Sequence, residues 1–245
     1  VSATGFDPRH DLREVLAATS GSNSGLLLGR GTFQIAQIVA AATSQGGTVT
    51  QYKGANVIAG PGNKNVVIAF LDGGTAAIGD LASVQAAIDR RGASKPVVDP
   101  TLAQKASDAS SSNQAWFATT TPLSDFLNGK VGNANLSNLS QNNLFQNIVQ
   151  ASGGIAFAGS GITINGDAVT SSADNAKALV DVLKFLVSMV PSDNPALKSL
   201  ADAATFSVNN TTAHMSLALT EQQAEQFFTA PMAPAAKKAA AARRH

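Results

Sequence analysis

Three histidines, 16 carboxylates and no cysteine limit the chemistry that this 245-residue chain can carry. Without cysteine there is no disulfide, thiolate metal site, iron–sulfur cluster or cysteine nucleophile. His245 is terminal, His10 stands between Arg9 and Asp11, and His214 falls on the polar side of an alternating run. No two of them have metal-ligand spacing, so no metal residue is assigned. His214 is the one candidate for a Ser-His-Asp arrangement, because serines are abundant. No Gly-x-Ser-x-Gly elbow supports it, so such a site would be dispersed and assembled only by folding.

Other fragments of reactive sites fall short. Gly29-Arg30-Gly31 follows an apolar run and precedes a helical one, as a dinucleotide loop would. Gln34 stands where its third glycine belongs, and the strands that follow read as antiparallel hairpins rather than a parallel crossover. Gly159-Ser160-Gly161 lies in a strand region and is weaker still. Asp72-Gly73-Gly74-Thr75 differs from an aspartic-protease Asp-Thr-Gly at the residue after Asp, and satisfies a hairpin turn completely. Asp72 and Asp80 flank an expected strand about 27 Å long at full extension, too far apart for paired acid–base work. No catalytic residue and no cofactor or cofactor-binding residue is therefore expected.

Charge and aromatic content narrow the partners. Charged residues make up 13% of the chain, with a net charge of +1. Of 17 basic residues, Lys237, Lys238, Arg243 and Arg244 sit in a tail without acids, so the body carries fewer basic than acidic groups. Such a body is no polyanion surface, and no nucleic acid is expected as a partner. Trp116 and Tyr52 are the only large amphipathic aromatics, too few for a carbohydrate-stacking platform. No run reaches the roughly 18–20 apolar residues of a transmembrane span. The start at Val1-Ser2-Ala3 is not a signal peptide, so an exported protein would have lost its leader.

The elements that would position any site follow from periodicity. Three hairpin signals are each followed by a capping residue and a helical stripe: Val66 to Arg91 turning at Asp72-Gly73, Ile162 to Met189 turning at Asn165-Gly166, and Thr205 to Phe228 turning at Asn209-Asn210. Asp7-Pro8 opens a helix running to about Thr19, and Leu26 to Phe33 reads as a strand. Ile35, Ile38, Val39 and Ala42 mark a helix stopped by Gly46-Gly47. Thr48 to Ala59 reads as one strand, turned at Pro61-Gly62-Asn63. Asp80 caps a helix bearing Val84 and Ile88. Ala115 to Thr121 is a strand. Leu144 to Ala151 is read as a helix ended by Gly153-Gly154, a counterpart of 37–41 that supports internal duplication. Ala173 to Val190 and Pro195 to Ala203 are helices. In Thr212 to Leu219, His214 and Ser216 share one face and Met215 and Leu217 the other, before a capping box at Thr220 and Gln223.

The expected fold class is α+β: antiparallel sheets built from hairpin-helix units, in two similar halves with helices packed on one sheet face. The expected domains are 1–95, a β-α-β-β-β-α half after an N-terminal helix; 96–113, a connector with a short helix begun by Asp99-Pro100; 114–230, the second half; and 231–245, a flexible basic tail. The runs Val67 to Leu71 and Ile78 to Asp89, with the opening Phe6 to Leu16, resemble a pattern in uncharacterised exported bacterial proteins of duplicated α+β build. The resemblance implies that build and export to the periplasm or medium, and brings no catalytic residues with it. A sparsely charged composition rich in Ala, Ser, Thr, Asn and Gly accords with this.

The leading expectation is a non-enzymatic extracytoplasmic bacterial domain that contacts another protein or an envelope component. Its expected contact surface is an Asn-rich loop with Asn135, Asn138, Asn142 and Asn143, together with His214. The rival classes are a hydrolase centred on His214 and a small-ligand protein with a pocket between the halves. Oligomeric state is not legible at this level.

Overall fold

A polar residue followed by proline begins the chain's first helix, but the helix lasts one turn. In the computed structural model, which describes residues 4–19, 25–92, 98–122, 146–190 and 195–229, Asp7 caps α1 (Pro8–Asp11) by accepting from Arg9 N. The chain then turns into strand β1 (Leu12–Thr19), where a helix to Thr19 was expected. Leu12, Val15 and Leu16 suit either element. Antiparallel pairing with β2 (Gly25–Gly31), which sets Leu16 opposite Leu28, decides for the strand.

Two units emerge, Val1–Val97 and Val98–His245. The first holds a six-stranded antiparallel sheet in the order β1-β2-β6-β5-β4-β3. Its helix α2 (Ile35–Ser44) follows β2, and Gly46 stops it. The run read as one strand is two, β3 (Thr48–Tyr52) and β4 (Ala55–Gly60), joined by a tight turn. Lys53 and Gly54 both have positive φ, 46° and 80°, so lysine occupies a place where Asn or Asp would have announced the turn. β5 (Asn63–Asp72) and β6 (Thr75–Gly79) form the expected Asp72-Gly73 hairpin. Asp80 then caps α3 (Leu81–Arg90), accepting from Ser83 N at 2.9 Å and Ser83 Oγ at 2.6 Å.

This sheet is covered on both faces, not one. Val57, Val67 and Ala69 pack under Val84 and Ile88 of α3. The alternate residues Ile58 and Phe70 meet Ile38 and Val39 of α2, with Phe33 stacked on Phe6 and tilted against Phe70, ring centroids 5.4 Å apart in each pair. The central strands are apolar at consecutive positions because both sides are buried.

The second unit opens with α4 (Pro100–Ser112), a 13-residue helix capped by Asp99 within the stretch read as a connector. Its sheet is five-stranded and antiparallel, in the order β10-β11-β9-β8-β7. The strands are β7 (Ala115–Thr119), β8 (Ile148–Ala158), β9 (Gly161–Thr170), β10 (Ala204–Asn209) and β11 (Thr212–Thr220). The further helices among its described residues are α5 (Ala173–Ser188), α6 (Pro195–Ala203) and α7 (Glu221–Thr229). Leu179 and Val180 of α5 lie on Ala151 and Ala213, while Leu200 and Ala224 of α6 and α7 meet Ile162 and Leu219, all on one sheet face. The one-faced packing expected from the sequence holds for these three helices.

Two expectations fail here. Residues 148–151 are strand, not helix, and Gly153-Gly154 continues that strand. A Cβ on Gly153 would stand 2.4 Å from Asn165 O, so the glycines mark close approach of backbone rather than a helix stop. The segment-level correspondence between 37–41 and 146–150 therefore does not hold. Asn165-Gly166 is no turn either. It lies mid-strand in β9, Asn165 opposite Gly154 and Ser216, and the hairpin closes instead between Ala158 and Gly161. The Asn209-Asn210 signal does close the β10–β11 hairpin, with Asn210 at φ 51°.

Candidate functional site

The register of the second sheet assembles a polar face on the side away from α5, α6 and α7. One row across it runs Ser207, His214, Asp167 and Ser152; the next runs Thr205, Ser216, Asn165 and Gly154. Side chains directly opposed on one face of an antiparallel pair lie close enough to bond. Two of these pairs do. His214 Nδ1 is 2.5 Å from Asp167 Oδ1, and Ser216 Oγ donates to Asn165 Oδ1 at 3.0 Å. The His214 and Asp167 side chains are 39% and 48% exposed, so the pair is open to solvent and to partners.

An ionised carboxylate only accepts, so in neutral His214 the proton sits on Nδ1 and Nε2 is left as an acceptor. The Ser216 hydroxyl donates to the side-chain oxygen of Asn165 and leaves the amide N–H donors of that residue. The face thus presents an imidazole nitrogen, amide hydrogens and the exposed hydroxyls of Ser207 and Thr205 along neighbouring strands. That set suits hydrogen-bonded recognition of a polar surface.

It does not suit acyl transfer. Ser207 opposes His214 in register, yet no bond joins its hydroxyl to the imidazole. Residues 212–220 are paired on both sides, with β10 over 212–217 and with β9 throughout, so their amides are committed to ladders rather than aimed at an oxyanion. Among the described residues no group of three or more His, Asp or Glu side chains could hold a metal ion.

The other sequence candidates have structural duties. His10 Nδ1 lies 3.2 Å from Asp7 Oδ2, and Arg9 Nη2 lies 3.0 Å from the same oxygen. The Arg9 guanidinium, aided by its own backbone N–H, holds the Asp7 carboxyl below the usual carboxylate range. Asp72 accepts from Gly74 N within its turn. Hydrogen bonds from the Ser83 hydroxyl and then its N–H hold the Asp80 carboxyl low. Gly31 is needed at the end of β2 because a Cβ there would lie 2.1 Å from Asp11 O. Asn135, Asn138, Asn142 and Asn143 lie outside the described residues. Of the expected contact residues, only His214 is placed.

Asp167 and Asn165 are the site residues that the sequence reading missed. Their signal was present: Thr163, Asn165 and Asp167 alternate with Ile162, Ile164, Gly166 and Ala168 straight through the Asn-Gly pair.

No protein-family model matches the chain, and no curated protein matches it in sequence. Solved structures do match. Crystal form III of TP0453, a Treponema protein, superposes with a TM-score of 0.51 at 12% identity, over 86% of this chain and 77% of that one. In fold, this chain is similar to TP0453. Crystal form I of the same protein gives 0.48 at 10% identity over 87% and 77%. No described helix is long and apolar enough to cross a membrane.

Proposed function

We propose that this chain is a non-enzymatic, extracytoplasmic bacterial domain that binds another protein or an envelope component through the polar face around His214. The observation that carries the reading is the pair of lateral bonds, His214–Asp167 and Ser216–Asn165, in successive rows of a half-exposed sheet face. Bonds between neighbours fix side chains that would otherwise lose rotamer freedom on binding, so the face is ordered before a partner arrives. Likeness in fold to a bacterial protein and the weakly charged, cysteine-free composition support the assignment to a bacterial envelope compartment. The Asn-rich segment at 135–143 is a second expected contact.

The test is a photo-crosslinking residue placed at Ser207, beside His214, in the producing cells, with Ser110 on α4 as the control position. A discrete adduct from position 207, absent from position 110 and lost in H214A, is the expected result. Equal labelling from both positions, or an adduct indifferent to H214A, would count against this face. Turnover of ester or amide substrates abolished by H214A would favour the hydrolase reading instead.

A further inference from the structure

Among the described residues, β1 is the longest strand at the end of a sheet, eight residues against five for β3, five for β7 and six for β10. Seven of its eight residues are exposed. Folded proteins blunt such edges with lysine, proline, bulges or inward charges, because a free row of N–H and C=O groups is a template for another strand. Here the bulge, Arg13 and Glu14 all lie at the first end. Val15 to Ala18 carries no such guard. Val15 is 52% exposed and Leu16 40%, on opposite faces by alternation, and Leu27 of β2, opposite Ala17, is 36% exposed.

We propose that β1 pairs antiparallel with β1 of a second copy of this chain, joining two six-stranded sheets into one. A twofold axis perpendicular to the sheet keeps each face continuous, so opposed residues must share a face. Charge and length then choose among registers. Centring on Arg13 or Glu14 sets like charges against each other, centring on Val15 sets Glu14 against Leu16, and centring on Ala17 or Ala18 shortens the paired run within β1. Centring on Leu16 leaves Glu14 opposite Ala18, where it keeps its ion pair with Arg30 at 3.5 Å, and sets Val15 opposite Ala17. One face then carries an unbroken row of four leucines, Leu28 and Leu16 from each copy. The other gathers Val15, Ala17 and Leu27 from both. The contact lies in the first unit and is independent of the His214 face.

The experiment is sedimentation of the full chain from micromolar to submillimolar concentration, alongside Leu16→Lys. The native chain is expected to pass from monomer to dimer mass. L16K, which sets two ammonium groups face to face at the axis, should dimerise at least about tenfold more weakly. Register is read in the cysteine-free background. L16C should oxidise to a covalent dimer because opposed Cα atoms fall within disulfide range, whereas A18C, displaced along the strand from its own counterpart, should not. The cysteine variants decide the matter if L16K fails to fold. A native chain monomeric throughout, a dimer indifferent to L16K, or A18C crosslinking as fast as L16C would each overturn the proposal.

Discussion

Gly153→Ala probes the close approach of β8 and β9 on which the polar face depends. The added methyl would stand 2.4 Å from Asn165 O, 3.1 Å from Gly166 Cα and 3.0 Å from Phe117 Cε1. The first two are backbone atoms of a central strand paired on both sides, so they cannot swing away as a flexible side chain would. Alanine for glycine at a tolerant site stabilises by about 0.4–1 kcal/mol through the unfolded chain, whereas overpacking a filled interior costs about 1–3 kcal/mol or more. With backbone as the obstacle the second effect wins, for a net loss of about 2 kcal/mol. In a unit of this size that lowers the melting midpoint by about 4–8 °C. Trp116, the sole tryptophan, stands opposite Gly154 in β7, so its fluorescence in a urea titration follows this unit. Gly159→Ala, with nothing within 4 Å of its Cβ, serves as the control and should be near neutral. A G153A chain as stable as native would refute the β8–β9 packing and with it the rows built on it.

Other outcomes follow from single contacts. Val84, fully buried on the sheet-facing side of α3, should cost about 2–3 kcal/mol as alanine, from two lost methyl groups and the cavity they leave, read through Tyr52 fluorescence in the first unit. Asp80→Ala removes the α3 cap and should lower the midpoint at neutral pH by a few degrees. Because the folded state holds the Asp80 carboxyl low, its contribution is present above the ordinary carboxylate range and is lost as pH falls through the folded value. The melting curves of native and D80A chains should therefore converge in acid, and a gap that persists there would contradict the capping role. His214→Ala, at a half-exposed position, should leave stability within about 0.5 kcal/mol of native while removing the crosslink from Ser207.

Most of the fold was legible where local rules and tertiary packing agree. The Asp72-Gly73 hairpin, the Asp80 helix start, the helices beginning at Ala173 and Pro195 and the Thr220–Gln223 capping box rest on residues within a few positions of one another, and local chemistry decides them. The failures share a cause. At Leu12–Thr19 and Ile148–Ala158, distant strands supply the pairing, and no local pattern carries that information. Asn165-Gly166 misled because its composition is that of a turn, while the alternation on either side runs through it without a break. Lys53-Gly54 misled in the opposite sense, as a turn with the wrong first residue. His214 was placed on the polar face from the sequence, but its partners came from β9, which the false turn had cut in two.

Everything proposed for the second sheet rests on β9 and β11 being paired so that Asn165 faces Ser216 and Asp167 faces His214. Disulfide formation in the cysteine-free chain measures this directly. N165C with S216C should close within the molecule on mild oxidation, and I164C with S216C, which a one-residue slip would bring together, should not. Closure of the second pair in preference to the first would turn His214 to the opposite face and contradict the account.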